Sequence, residues 1–76
     1  MKLSDLPTGL SAIINALSAN NAALLRQCGA LGIKPGERIQ VLHRSGSKGP
    51  MQIRCRGTLF AIRADEAAEI AVLAEA

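Results

Sequence analysis

Aromatic residues are almost missing from this chain. It has no Trp, no Tyr and one Phe, Phe60, in 76 residues. A core must therefore be made of Leu, Ile, Val, Ala and Met. A surface that stacks single-stranded bases on aromatic rings lacks its usual platform, so a nucleic-acid partner is not expected. Histidine is as scarce, with His43 alone, and the two cysteines, Cys28 and Cys55, stand far apart. Zinc commonly takes four N, S or O ligands in paired short spacings. Two scattered thiols and one imidazole do not supply such a set, so no dedicated metal site is expected. "GSKGP" has glycines and a lysine but not the spacing of a phosphate-binding loop. No stretch approaches the roughly 18 apolar residues that span a bilayer. The opening "MKLSDLPTGL" has an acid and a proline but no apolar run for a signal peptide. The chain is therefore expected to be cytoplasmic, with both cysteines as reduced thiols.

What is present suits one small globular domain. The apolar share is 49%, too aliphatic for a disordered chain. Net charge is +3, which permits an acidic partner without requiring one. The middle is basic, with Lys34, Arg38, Arg44, Lys48, Arg54, Arg56 and Arg63 against Glu37 alone. The acids Asp65, Glu66, Glu69 and Glu75 gather at the end.

Local signals divide the chain into short elements. Ser11 to Leu17, with β-branched Ile13 and Ile14, reads as a strand. Asn20 and Asn21 are good helix N-caps, and Ala22 to Leu31 are mostly strong helix formers. Leu24, Cys28 and Leu31 fall on one helical face. Leu25 cannot share it with Leu24 and is left nearer the surface. Gly32 stands where a left-handed glycine ends a helix. Lys34-Pro35-Gly36-Glu37 has the residues of a type II turn. A strand then places Ile39, Val41 and His43 on one face, and Arg38, Gln40, Leu42 and Arg44 on the other. The polar loop "SGSKGP" leads to a second alternation. Met51, Ile53 and Cys55 face one way; Gln52, Arg54 and Arg56 face the other. "TLFAIR" is a further strand with Phe60 and Ile62 in phase. "ADEAA" is a short helical turn capped by Asp65, with Glu66 facing solvent, and "EIAVL" closes as a strand. Five short strands at this spacing predict a mainly β, small barrel with one α-helix inserted after the first strand.

Nothing here assembles a catalytic set. Cys28 and Cys55 sit on apolar faces, where thiols are inert. The feature left over is a basic face: Arg38, Arg44, Arg54 and Arg56 are expected to point outward from adjacent strands.

Leu31-Gly32, Pro35-Gly36, Ile39 and Val41, Gly49-Pro50, Gly57, Ile62-Arg63, and Ala67, Ile70 and Val72 occur in an order that resembles the FeoA family. That family is the small cytoplasmic component of bacterial ferrous iron transport, and the resemblance covers about residues 6 to 74. It departs at Gln27 and Cys28, where the family often carries a basic residue and a leucine; here Arg26 comes one place early. The resemblance implies an SH3-like barrel with no enzymatic activity and no cofactor. It also implies a partner, the FeoB-type ferrous iron transporter with its cytoplasmic GTPase region, which would bring the chain to the inner membrane indirectly. Leu25, Arg38, Arg54 and Arg56 are the candidate partner-binding residues, and weak self-association remains an option. The alternatives are a small basic nucleic-acid-binding barrel and a metal-responsive module like the C-terminal domain of DtxR-like repressors, with His43 and acids as ligands.

Overall fold

The structure is a computed structural model that describes residues 1–18, 20–46 and 49–75. Five strands form one antiparallel sheet: β1 (Ser11–Leu17), β2 (Arg38–Arg44), β3 (Met51–Cys55), β4 (Thr58–Ile62) and β5 (Ile70–Ala74). Their order across the sheet is β4-β3-β2-β1-β5. Helix α1 (Ala22–Leu31) is inserted between β1 and β2, and a single turn, α2 (Ala64–Ala67), joins β4 to β5. The mainly β, five-stranded expectation with one inserted helix holds.

Helix α1 begins and ends on the residues whose chemistry marks them. The Asn21 side-chain oxygen accepts from the Leu24 N–H at 3.0 Å, satisfying an orphan donor of the first turn. Its amide nitrogen donates to Glu69 Oε2 at 2.8 Å, so the same side chain ties the helix to the approach to β5. At the far end Gly32 takes φ +78. The Ile33 N–H then reaches back to the Cys28 carbonyl at 2.8 Å. This is the six-to-one bond of a Schellman ending, and Ile33 and Cys28 are both buried beside it. The next turn is type II: Gly36 has φ +95, and the Glu37 N–H bonds the Lys34 carbonyl at 3.1 Å. It is zipped onto β1 by Gly36 N–H to the Ile14 carbonyl and Ile14 N–H to the Glu37 carbonyl.

The core lies on one face of the sheet. Ile14, Ile39, Val41, Met51, Ile53, Cys55, Ile62, Ile70 and Val72 are buried there with Leu24, Cys28 and Ile33. Phe60 packs against them half-buried. Leu3 and Leu6 are also fully buried. They belong to a 3-10 turn, Leu3–Asp5, and the residue after it, which pack onto α2 and β5.

Three expectations are corrected. The register of β2 shifts between Val41 and His43, so Val41 opposes Ile53 while His43 opposes Gln52. This bulge reverses the facing of the last two residues. His43 becomes exposed instead of following Ile39 and Val41 inward, and Arg44 leaves the outward basic face. The Arg44 guanidinium instead donates to the Ser4 carbonyl at 2.5 Å and the Leu6 carbonyl at 2.6 Å, clamping the N-terminal turn. Secondly, the carboxylate that caps α2 is Glu66, which accepts from the Arg63 N–H at 3.0 Å. Asp65 only reaches the next N–H, that of Glu66. Thirdly, Arg56 is not a strand residue but the first residue of the β3–β4 turn.

Candidate partner-binding surface

Three of the four residues singled out from the sequence converge. Arg38, Arg54 and Arg56 line one shallow open groove of about 390 Å³ on the outward face of the sheet, together with Ser11, Glu37, Gln40 and Gly57. The reason is the pleat. Ser11 opposes Gln40 across β1 and β2, and Gln40 opposes Arg54 across β2 and β3, so three polar side chains form a row. Arg38 flanks that row two residues along β2, and Arg56 flanks it from the turn beyond β3.

The guanidiniums differ in their partners. Arg38 Nε lies 2.7 Å from Glu75 Oε1, and Arg56 Nη1 lies 3.4 Å from Glu37 Oε1; both arginines are more than half exposed. Such exposed pairs exchange readily for other partners, since each contributes at most about 1 kcal/mol. Arg54 is exposed and makes no ion pair among the described residues. The groove thus holds three cationic forks against the Glu37 carboxylate in its lining and Glu75 paired with Arg38. It can accept carboxylate or phosphate oxygens by exchange, which suits recognition of an acidic surface.

Arg56 stands out for its backbone. Its φ is +55, the one positive φ at a non-glycine among the described residues, and Gly57 follows at +77. Positive φ at both positions of a two-residue hairpin loop is a type I′ turn, where Asn-Gly or Gly-Gly is favoured. Arginine there carries local strain. Its side chain extends over the end of α1: a Cβ placed on Gly32 would meet Arg56 Cδ at 3.0 Å.

Leu25 lies outside the groove lining, on the exposed side of α1. It precedes Gly32 by seven residues, about two turns and ~10 Å of helix, on nearly the same side. The sequence reading missed Glu37, Gln40 and Ser11 as groove residues. The signal for Ser11 and Gln40 was their phase with the outward arginines. Glu37, closing the type II turn, carried no such signal.

Among the described residues no thiol faces this surface. Cys28 and Cys55 are free and buried. Burial raises both thiols above the ordinary value, with Glu66 adding to the effect at Cys28 and Glu37 at Cys55. Among the described residues no three His, Cys, Asp or Glu side chains are grouped to hold a metal ion. Nor is any described helix long and apolar enough to cross a membrane.

A five-stranded antiparallel sheet with one inserted helix and a charged, shallow surface describes a small SH3-like domain. The FeoA domain model matches residues 1–74, so the chain belongs to the FeoA family. Solved structures agree. The FeoA protein from Chlorobium tepidum superposes with a TM-score of 0.91 at 33% identity, over 100% of this chain and 71% of that one. Stenotrophomonas maltophilia FeoA complexed with zinc gives 0.83 at 29% identity, over 95% and 88% of the two chains. That protein is described as a procaryotic SH3 domain protein and a candidate activating factor for bacterial ferrous iron transport. A manganese-dependent transcriptional repressor shares the fold, with a TM-score of 0.89 at 20% identity over 99% of this chain and 41% of its own. A search of curated proteins finds no match.

Proposed function

We propose that this chain is a non-enzymatic accessory protein of ferrous iron uptake that docks on the cytoplasmic, GTPase-bearing part of a FeoB-type transporter. Membership of the FeoA family supplies the association with ferrous iron transport. The observation that carries the docking surface is Arg56. A strained backbone position that would favour asparagine or glycine holds an arginine instead, beside unpaired Arg54 and opposite Arg38. Folding alone gives no reason for that choice. The groove meets acidic side chains of the GTPase region, and Leu25 adds an apolar contact along α1. Charge complementarity of this kind speeds encounter and fixes orientation.

The test is an NMR titration of the labelled chain with the soluble GTPase domain of the FeoB-type transporter from the same genome. It is run without nucleotide, with GDP and with a GTP analogue. Amide shifts should concentrate at Ser11, Arg38, Gln40, Arg54, Arg56 and Leu25. The double substitution Arg54→Glu, Arg56→Glu should weaken binding at least ~10-fold and flatten its dependence on salt. Unchanged affinity in that variant would remove the groove from the interface.

A further inference from the structure

We infer that the outer edge of β4 pairs with the same edge of a second copy, forming a weak antiparallel dimer about a two-fold axis at Phe60. Four observations lead there. First, β4 pairs with β3 alone, and no described strand lies against its other side. Second, the strand "TLFAI" carries no charge and no proline, the devices that usually blunt an edge. Leu59 is 54% exposed, and Thr58 and Ala61 are exposed beside it.

Third, the hydrogen-bond phase fits self-pairing. A two-residue hairpin closes on a hydrogen-bonded pair, here Cys55 and Thr58. Alternation then directs Thr58, Phe60 and Ile62 toward β3, and the N–H and C=O groups of Leu59 and Ala61 toward open solvent. A two-fold axis at Phe60 sets Leu59 opposite Ala61 of the other copy, and Ala61 opposite Leu59. Each pair exchanges two hydrogen bonds, so every outward group finds a partner. The two half-buried Phe60 rings meet across the non-bonded pair, where side chains approach most closely.

Fourth, charge selects the antiparallel arrangement. It sets Arg63 opposite Gly57 of the other copy, next to Arg56, and brings Asp65 and Glu66, which lie 4.0 and 3.7 Å from Arg63 in their own chain, to the same turn as compensating anions. Parallel pairing in register would instead set Arg63 against Arg63. A second copy therefore matches both the backbone and the charge of this edge. The contact is small, so it is transient rather than obligate.

The experiment follows amide shifts and sedimentation of the whole chain from low concentration to ~1 mM, where weak contacts of this size populate. Leu59, Ala61 and Arg63 should shift with concentration as a dimer forms. Ala61→Pro removes an N–H that β3 does not use, so the fold should survive while dimer affinity falls about tenfold or more. Leu59→Lys, which leaves the backbone intact, should do the same by charge repulsion. Asp65→Lys should weaken the dimer to a lesser degree. A monomer throughout the range, shifts confined to α1 or the arginine groove, or a dimer unaffected by Ala61→Pro and Leu59→Lys would each overturn the pairing.

Discussion

The outer edges of β5 and β4 are treated in opposite ways by the same chain. Along β5 the first residues run back as a short extra strand. The backbone of Met1 exchanges two hydrogen bonds with Val72, at 2.7 and 3.0 Å, and Lys2 bridges Ala71. Leu3 and Leu6 then fill the space behind it, and Arg44 clamps the Ser4 and Leu6 carbonyls. Along β4 no described residue runs in this way. Its edge is uncharged and exposed, and it is entered through a turn that holds Arg56 at positive φ. The difference teaches where this small domain spends its stabilising contacts. One edge is built into the core, and the other is left available, with strain and exposed leucine beside the arginine groove.

The largest break in that comparison should come from the covered edge. Leu3→Ala empties a fully buried site and should cost about 2–5 kcal/mol in chemical denaturation. Leu59→Ala on the open edge should stay within about 0.5 kcal/mol. Comparable losses at the two sites would mean that β4 is covered in solution. Next, Arg44→Ala leaves two carbonyls without their charged donor and should destabilise by about 1–3 kcal/mol. Hydrogen exchange should quicken first at the Val72 amide, with the β3–β4 amides following only through global unfolding. The third effect has the opposite sign. Arg56→Asn relieves the left-handed arginine and should raise stability by about 1 kcal/mol, while weakening the proposed docking. A variant that gains neither stability nor loses binding would show that the strain has no function. The smallest effect is a control that should move both edges alike. Burial raises the Cys28 and Cys55 thiols above their ordinary 9.0. The unfolded chain therefore ionises first, and stability is fully present below about pH 9 and declines as pH rises toward the folded-state values. Replacing Cys55 by Ala should flatten that decline in a melting-temperature profile.

Much of this was legible because the signals are local. Asn21, Gly32 and the Pro35-Gly36 pair each state their own backbone requirement, and the structure honours all of them. The alternation of Met51 to Cys55 named its buried face directly. The bulge after Val41 was not legible, because Leu42, His43 and Arg44 fit either phase of a strand; only pairing with β3 decides. Burial of Leu3 and Leu6 was hidden for another reason: their partners lie at the opposite end of the chain, and no periodicity links them. The arginines of the candidate surface were legible from strand alternation, but its shape was not. Arg56 was assigned to a strand face, whereas its turn is what swings it over Gly32.

The bond between Met1 and Val72 also bears on synthesis. A ribosome delivers the first residues long before the last strand exists. Until Val72 clears the exit tunnel, Leu3 and Leu6 have no β5 to pack against and Arg44 has little to hold in place. Contacts of such long sequence separation form late and slowly. A nascent chain should therefore leave this domain open to proteases and chaperones until β5 has emerged. It then becomes resistant in one step as β5 pairs with β1 and the first residues.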